Sequence, residues 1–143
     1  VSASVQSQIL ATVVATLNAG GVLSAYRTRM TAFAKAQLPA TNVLPDEGDA
    51  VYLDSDSINR KLRFKLRHMA VAVDEVDAAV DLQYVAAEKK LFADPTLGGL
   101  TYYCHELAQK WELEKGEFDT VALVVTYEVE FSTTRSDPSV AAP

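Results

Sequence analysis

From Thr120 to Thr134 the chain alternates without a break. Val121, Leu123, Val125, Tyr127, Val129 and Phe131 fall on one side, and Ala122, Val124, Thr126, Glu128, Glu130 and Ser132 on the other. A period of two places each set on its own face of an extended strand. An apolar face this long has to be covered, so the segment is predicted to be the backbone of a sheet packed on at least one side. Lys61–Val73 repeats the pattern, with Leu62, Phe64 and Leu66 alternating with Lys61, Arg63, Lys65 and Arg67. One face of that strand enters the core while the other carries positive charge. Past His68 both faces turn apolar (Met69, Val71, Val73), as in a central or covered strand.

Two segments read as helices to cover this sheet. Val5, Ile9, Leu10, Val13, Val14 and Leu17 form one apolar stripe, with Ser4 as N-cap and Gly20-Gly21 as the stop, so residues 4–18 are predicted helical. Asp74–Phe92 is the second helix. Val76, Val80, Gln83, Tyr84, Ala87 and Leu91 keep helical spacing, with acids near its start and Lys89 and Lys90 near its end. Weaker patterns give a strand beginning within residues 22–29 and a stretch at 30–37 that reads as either loop or helical turn. Thr41–Leu44 is a short strand ended by Pro45, followed by a polar turn at Asp46–Asp49 and another at Ser55–Asn59. Lys110–Glu114 is a strand with Trp111 and Leu113 on one face, and it leads through Lys115-Gly116-Glu117 into the long final strand. The expected fold class is α+β, a mostly antiparallel sheet with two main helices on one face, in a single domain over residues 1–134. Residues 135–143, small, polar and proline-containing, are expected to be a flexible tail.

Composition narrows the chemistry. Cys104 is the one cysteine, which excludes an internal disulfide and any CxxC metal pattern, and only His68 and His105 are available as histidine ligands. Cys104 and His105 are neighbours on a strand, point to opposite faces and cannot form a nucleophile–base dyad there. Asp94-Pro95-Thr96-Leu97-Gly98-Gly99-Leu100 has neither the lysine of a phosphate-binding loop nor the spacing of a dinucleotide fingerprint, so its glycines read as a tight turn. Glu128 and Glu130 share a strand face with no histidine, which fits a solvated or subunit-facing surface better than a metal site. No catalytic residue, metal or cofactor is expected. No run approaches the roughly 18 apolar residues of a membrane span, and the N-terminus lacks signal-peptide features, so a cytoplasmic, membrane-free protein is expected.

Charge is unevenly spread within a net −6. Residues 1–70 hold eight bases and five acids, whereas residues 71–143 hold five bases and fourteen acids. An acidic protein is poorly suited to gripping nucleic-acid phosphates. The one local charge feature above background is the basic run Arg60, Lys61, Arg63, Lys65 and Arg67. It follows an acidic stretch containing Asp46, Glu47, Asp49, Asp54 and Asp56. These ten residues are the candidate interface, expected to meet the opposite patch on a neighbouring subunit. The alternatives are pairing within one subunit or simple exposure to water.

In order and spacing, several of these features together resemble a known family. They are the N-terminal helix, Leu38-Pro39-Ala40 before a strand ending Val43-Leu44-Pro45, the basic-apolar strand Leu62–Val73 and the helix after it. Asp94–Leu100, Trp111-Glu112-Leu113, a glycine turn, Ala122–Phe131 and Ser132-Thr133-Thr134 complete the set. The pattern, over roughly residues 4–134, resembles the tail terminator (minor tail, tail-completion) proteins of long-tailed bacteriophages. The resemblance implies an α/β sandwich that forms a homohexameric ring, stops tail-tube polymerisation and offers a surface to head-completion or connector proteins. It implies a virion protein at the head-proximal end of the tail, assembled in the host cytoplasm, with DNA passing through the lumen without specific binding. The family brings no catalytic residues. A sheath, baseplate or head–tail connector subunit of similar fold is the nearest alternative. A small-molecule-binding or enzymatic α+β domain, or a nucleic-acid-binding module, comes after it.

Overall fold

The structure is a computed structural model and describes residues 3–52 and 56–142. The chain runs α1 (Val5–Asn18), β1 (Ala25–Arg27), a 3-10 turn (Lys35–Gln37), β2 (Ala40–Tyr52), β3 (Ser57–Val71), α2 (Val76–Ala93), β4 (Tyr103–Glu114) and β5 (Thr120–Thr134). The strands form one sheet in the order β1-β2-β3-β5-β4; β1 lies parallel to β2 and every other pairing is antiparallel. The fold is therefore α+β, as the alternation predicted.

Both helices lie on one face. Val5, Ile9, Val13 and Leu17 of α1 and Val80, Ala87 and Leu91 of α2 are buried in one cluster with Leu62, Phe64 and Leu66 of β3 and Leu123, Val125, Tyr127, Val129 and Phe131 of β5. The register explains why: Leu62, Phe64 and Leu66 stand opposite Val129, Tyr127 and Val125, so the apolar faces of the two longest strands coincide. Phe64 and Tyr127 stack at 5.5 Å between ring centroids, and Phe92 of α2 meets Tyr127 edge-on. Ser4 caps α1 through its side-chain oxygen, which accepts from the Ser7 N–H at 3.1 Å, an arrangement worth about 1 kcal/mol. Gly20 and Gly21, with φ of 83° and 71°, carry the chain away from the helix end in a conformation few other residues adopt.

Several expectations need correction. Pro45 does not end β2, which continues to Tyr52 with a bulge between Pro45 and Gly48. Among the described residues only Ala25–Arg27 pairs with the outer edge of β2, opposite residues 41–43, so at Pro45 the missing N–H deprives none of them of a bond. Asp46, Glu47 and Asp49 consequently belong to a strand and not to a turn, and Ser57–Asn59 opens β3. β1 is shorter than residues 22–29 because the Asn18 side chain occupies both backbone groups of Ala25, at 2.8 and 3.0 Å, and Thr28 turns away at φ 44°. β4 begins at Tyr103, seven residues before the expected start. Residues 135–142 fold back onto the domain: Val5 N–H donates to the Pro138 carbonyl at 2.9 Å, Thr134 N–H to Val140, and Ala142 N–H to Ser132. The second helix also starts two residues later than expected, at Val76, because Glu75 stands at φ 60°.

Candidate functional site

With the helices on one side, the other face of the sheet is left to its polar residues. β3 sends Lys61, Arg63, Lys65 and Arg67 there, and β5 sends Glu130, Glu128 and Thr126, with Lys61 opposite Glu130 and Arg63 opposite Glu128. β4 adds Tyr103, His105, Lys110, Glu112 and Glu114. The bulge in β2 brings Asp46, Glu47 and Asp49 alongside.

Arg63 is the hub of this face. Its Nε donates to Glu128 Oε2 at 3.1 Å, and its other nitrogens lie 3.4 Å from Glu47 and 3.5 Å from Asp49. Lys65 Nζ is 4.0 Å from Asp46, and Lys61 Nζ 4.0 Å from Glu128. Glu128, only 12% exposed at its side chain, also accepts from the Tyr103 hydroxyl at 2.9 Å. Arg67 reaches across β5 to Glu112 and Glu114 of β4. Glu130 takes the Asn59 amide at 2.5 Å, and that bond, helped by Tyr103 and Lys61, holds its carboxyl below the usual range despite some desolvation.

The ten expected interface residues are thus only partly brought together. Lys61, Arg63 and Lys65 do meet Asp46, Glu47 and Asp49, but inside one chain, because β2 and β3 are the two arms of one antiparallel hairpin. Pairing within one subunit, the alternative reading, is what the single chain shows. Arg60 leaves the group: it points to the helix side and donates to Thr133 Oγ1 at 2.9 Å. Asp56 sits at the start of β3, where its carbonyl accepts from Arg135 N–H at 2.8 Å. Asp54 lies outside the described residues. Glu112, Glu114, Glu128 and Glu130 complete the lattice and were not among the candidates. Their signal was their spacing, two glutamates at i and i+2 on each of two strands, which gives same-face carboxylates.

The nucleophilic and basic side chains are kept apart. Cys104 points into the core, and burial pushes its thiol up to about 12, with Glu88 adding to the effect. His105 points to the charged face and stacks on Tyr103 at 4.1 Å. His68 stands opposite Leu123 and Cys104 opposite Val129, so the two are six residues apart along β5, about 20 Å. Near Cys104, the Tyr127 hydroxyl donates to Glu88 at 2.9 Å; burial is the main cause of the raised pKa of both groups. Among the described residues no group of three or more His, Cys, Asp or Glu is arranged to hold a metal ion.

A concavity of about 580 Å³ opens where the loop carrying Arg29, Met30 and Phe33 crosses the charged face near Leu44, Met69 and Phe118. Its arginines are already engaged. Arg29 donates to the Thr31 and Ala32 carbonyls and to Gln37, and lies over the Tyr26 and Phe33 rings, while Arg67 is held by Glu112 and Glu114. No helix among the described residues is long and apolar enough to cross a membrane. No protein-family model matches this chain, and neither does any curated protein sequence.

Proposed function

We propose that this chain is a structural, non-enzymatic subunit of a long-tailed bacteriophage, of the tail-terminator type. In this reading copies of it form a ring, a hexamer in that family, at the head-proximal end of the tail tube. The ring stops tube growth and presents a surface to the head-completion or connector protein. The observation that carries the reading is the division of the sheet into two unlike faces. One is sealed by both α-helices; the other is broad and carries cross-strand ion pairs, with the loop of Arg29, Met30 and Phe33 crossing one end. On that face Lys61, Arg63, Lys65, Arg67 and Lys110 stand among Asp46, Glu47, Asp49, Glu112, Glu114, Glu128 and Glu130, so carboxylates outnumber cations. A polyanion moving past such a face meets no surplus of positive charge, so it passes without the counterion-release affinity that holds DNA to basic proteins. A closed ring also needs two different complementary patches per subunit.

The test is genetic and visual. Phage particles lacking this protein should carry tail tubes of irregular, excessive length, and the purified chain should stop growth when added to polymerising tube protein. Tails of normal length in the deletion, seen by electron microscopy, would refute the proposal.

A further inference from the structure

The sheet has two open edges, and they are built differently. On the β2 side, β1 covers only residues 41–43, and beyond it β2 carries Pro45, a bulge and the acids Asp46, Glu47 and Asp49. Proline, bulges and charge are the devices by which sheet edges avoid recruiting another strand. On the other side, β4 pairs with β5 along one edge only and runs twelve residues, about 40 Å. It contains neither proline nor glycine, and its one irregularity falls at Leu107. Every second residue turns its backbone N–H and C=O outward. The strand also exposes large apolar side chains, with Leu107 at 50%, Trp111 at 46% and Leu113 at 58%.

We infer that β4 is a pairing edge for a second copy of this chain, joined antiparallel about a two-fold axis at Trp111. The side chains of β4 complement themselves in that one register. With Trp111 opposite its own copy, Lys110 faces Glu112 of the second chain and Glu112 faces Lys110, both on the charged face. Trp111 meets Trp111 on the helix side, with Gln109 opposite Leu113. Aromatic pairs and opposite charges directly across a ladder both stabilise it. Lys110, 77% exposed at its side chain, lies 3.9 Å from its own Glu112, which also holds Arg67, so the exchange replaces each in-chain Lys110–Glu112 pair by one across the axis. Centring the axis on Leu113 would oppose Glu112 to Glu114. Pairing β4 with the free half of β2 would set Glu112 and Glu114 against Asp46, Glu47 and Asp49. Charge therefore selects the self-pairing about Trp111. The contact is isologous, distinct from the head-to-tail seam of a ring, so it stands or falls separately from the function proposed above.

Light scattering on the full chain across a concentration series reads the outcome. The wild type should reach at least twice the chain mass. Lys110→Glu alone and Glu112→Lys alone should each weaken association about tenfold or more, because each places like charges opposite one another twice per dimer. An equimolar mixture of the two variants should recover the dimer, since every cross-strand pair then again has opposite signs. In Trp111→Cys, oxidation should link two chains through residue 111, a result that needs no charge variant to fold. A wild type monomeric at every concentration, a mixture that fails to recover, or absence of the 111–111 link would each overturn the inference. A ring-sized mass unchanged by both charge variants would overturn it too, while leaving the ring reading intact.

Discussion

His68 makes the core of this protein sensitive to acid. Its side chain is fully buried on the helix side of β3; Nδ1 lies 2.8 Å from Thr41 Oγ1, and Nε2 has no hydrogen-bond partner among the described residues. Protonation would place a cation there with one donor unmet, and burial accordingly lowers the pKa from 6.5 to about 4. Between those two values the unfolded chain binds a proton that the folded chain refuses. The neutral ring's contribution is thus complete above about pH 6.5 and is lost as pH falls toward 4. A shift of this size corresponds to about 2 kcal/mol lost by pH 5 and about 3 kcal/mol by pH 4. The comparison is His68→Gln, which does not titrate and retains an amide for Thr41. Urea unfolding of both proteins at pH 7, 6, 5 and 4 gives two stability profiles, and subtraction removes the carboxylates they share. The wild-type profile should fall more steeply by the amounts above. Parallel profiles would refute the argument, because His68 would then titrate alike in both states.

Gly48→Ala should destabilise the β2–β3 hairpin by about 1–3 kcal/mol, since a Cβ there would stand 2.9 Å from the Lys61 carbonyl oxygen; urea midpoints check it. Truncation after Thr134 should cost about 1–2 kcal/mol, because Val5 N–H and Thr134 N–H lose carbonyl partners in residues 135–142; thermal unfolding of the shortened chain reads this directly. Cys104→Ala should cost a kcal/mol or two by lost packing and leave phage assembly unchanged. In the folded wild type the buried thiol should resist aromatic disulfide reagents at pH 8, a rate followed by absorbance. Reversing Arg63 and Lys65 to Glu should lower monomer stability, and adding Lys at Asp46, Glu47 and Asp49 should restore part of it, both measured by circular dichroism in denaturant.

The elements legible in the sequence are those that keep a single period from end to end. β5 and α1 are in this class, as is most of β3, and their burial follows directly from the alternation or the stripe. β2 and β4 each contain an irregularity, and there the period breaks. In β2 the helix side receives Thr41, Val43 and Pro45, then Gly48 and Ala50 after the bulge, so odd positions give way to even ones. In β4 it receives Cys104 and Glu106, then Gln109, Trp111 and Leu113, the reverse change. A strict alternation sees two short strands or a turn at each place, although the backbone ladder continues through. The charge pattern was legible as composition but not as contact. Asp46 and Lys65 are distant in the chain, yet the hairpin makes them neighbours, and the sequence shows no sign of which partner each base will choose. That pairing also changes what a charge-reversal experiment can decide. When both partners lie in one chain, reversing one set weakens the monomer and reversing both repairs it, whatever the ring does. Recovery in a single doubly reversed chain therefore cannot locate an interface here. Only recovery from mixing two differently charged chains can, which is why the reversals at Lys110 and Glu112, whose in-chain partners are each other and Arg67, are made in separate chains and then mixed.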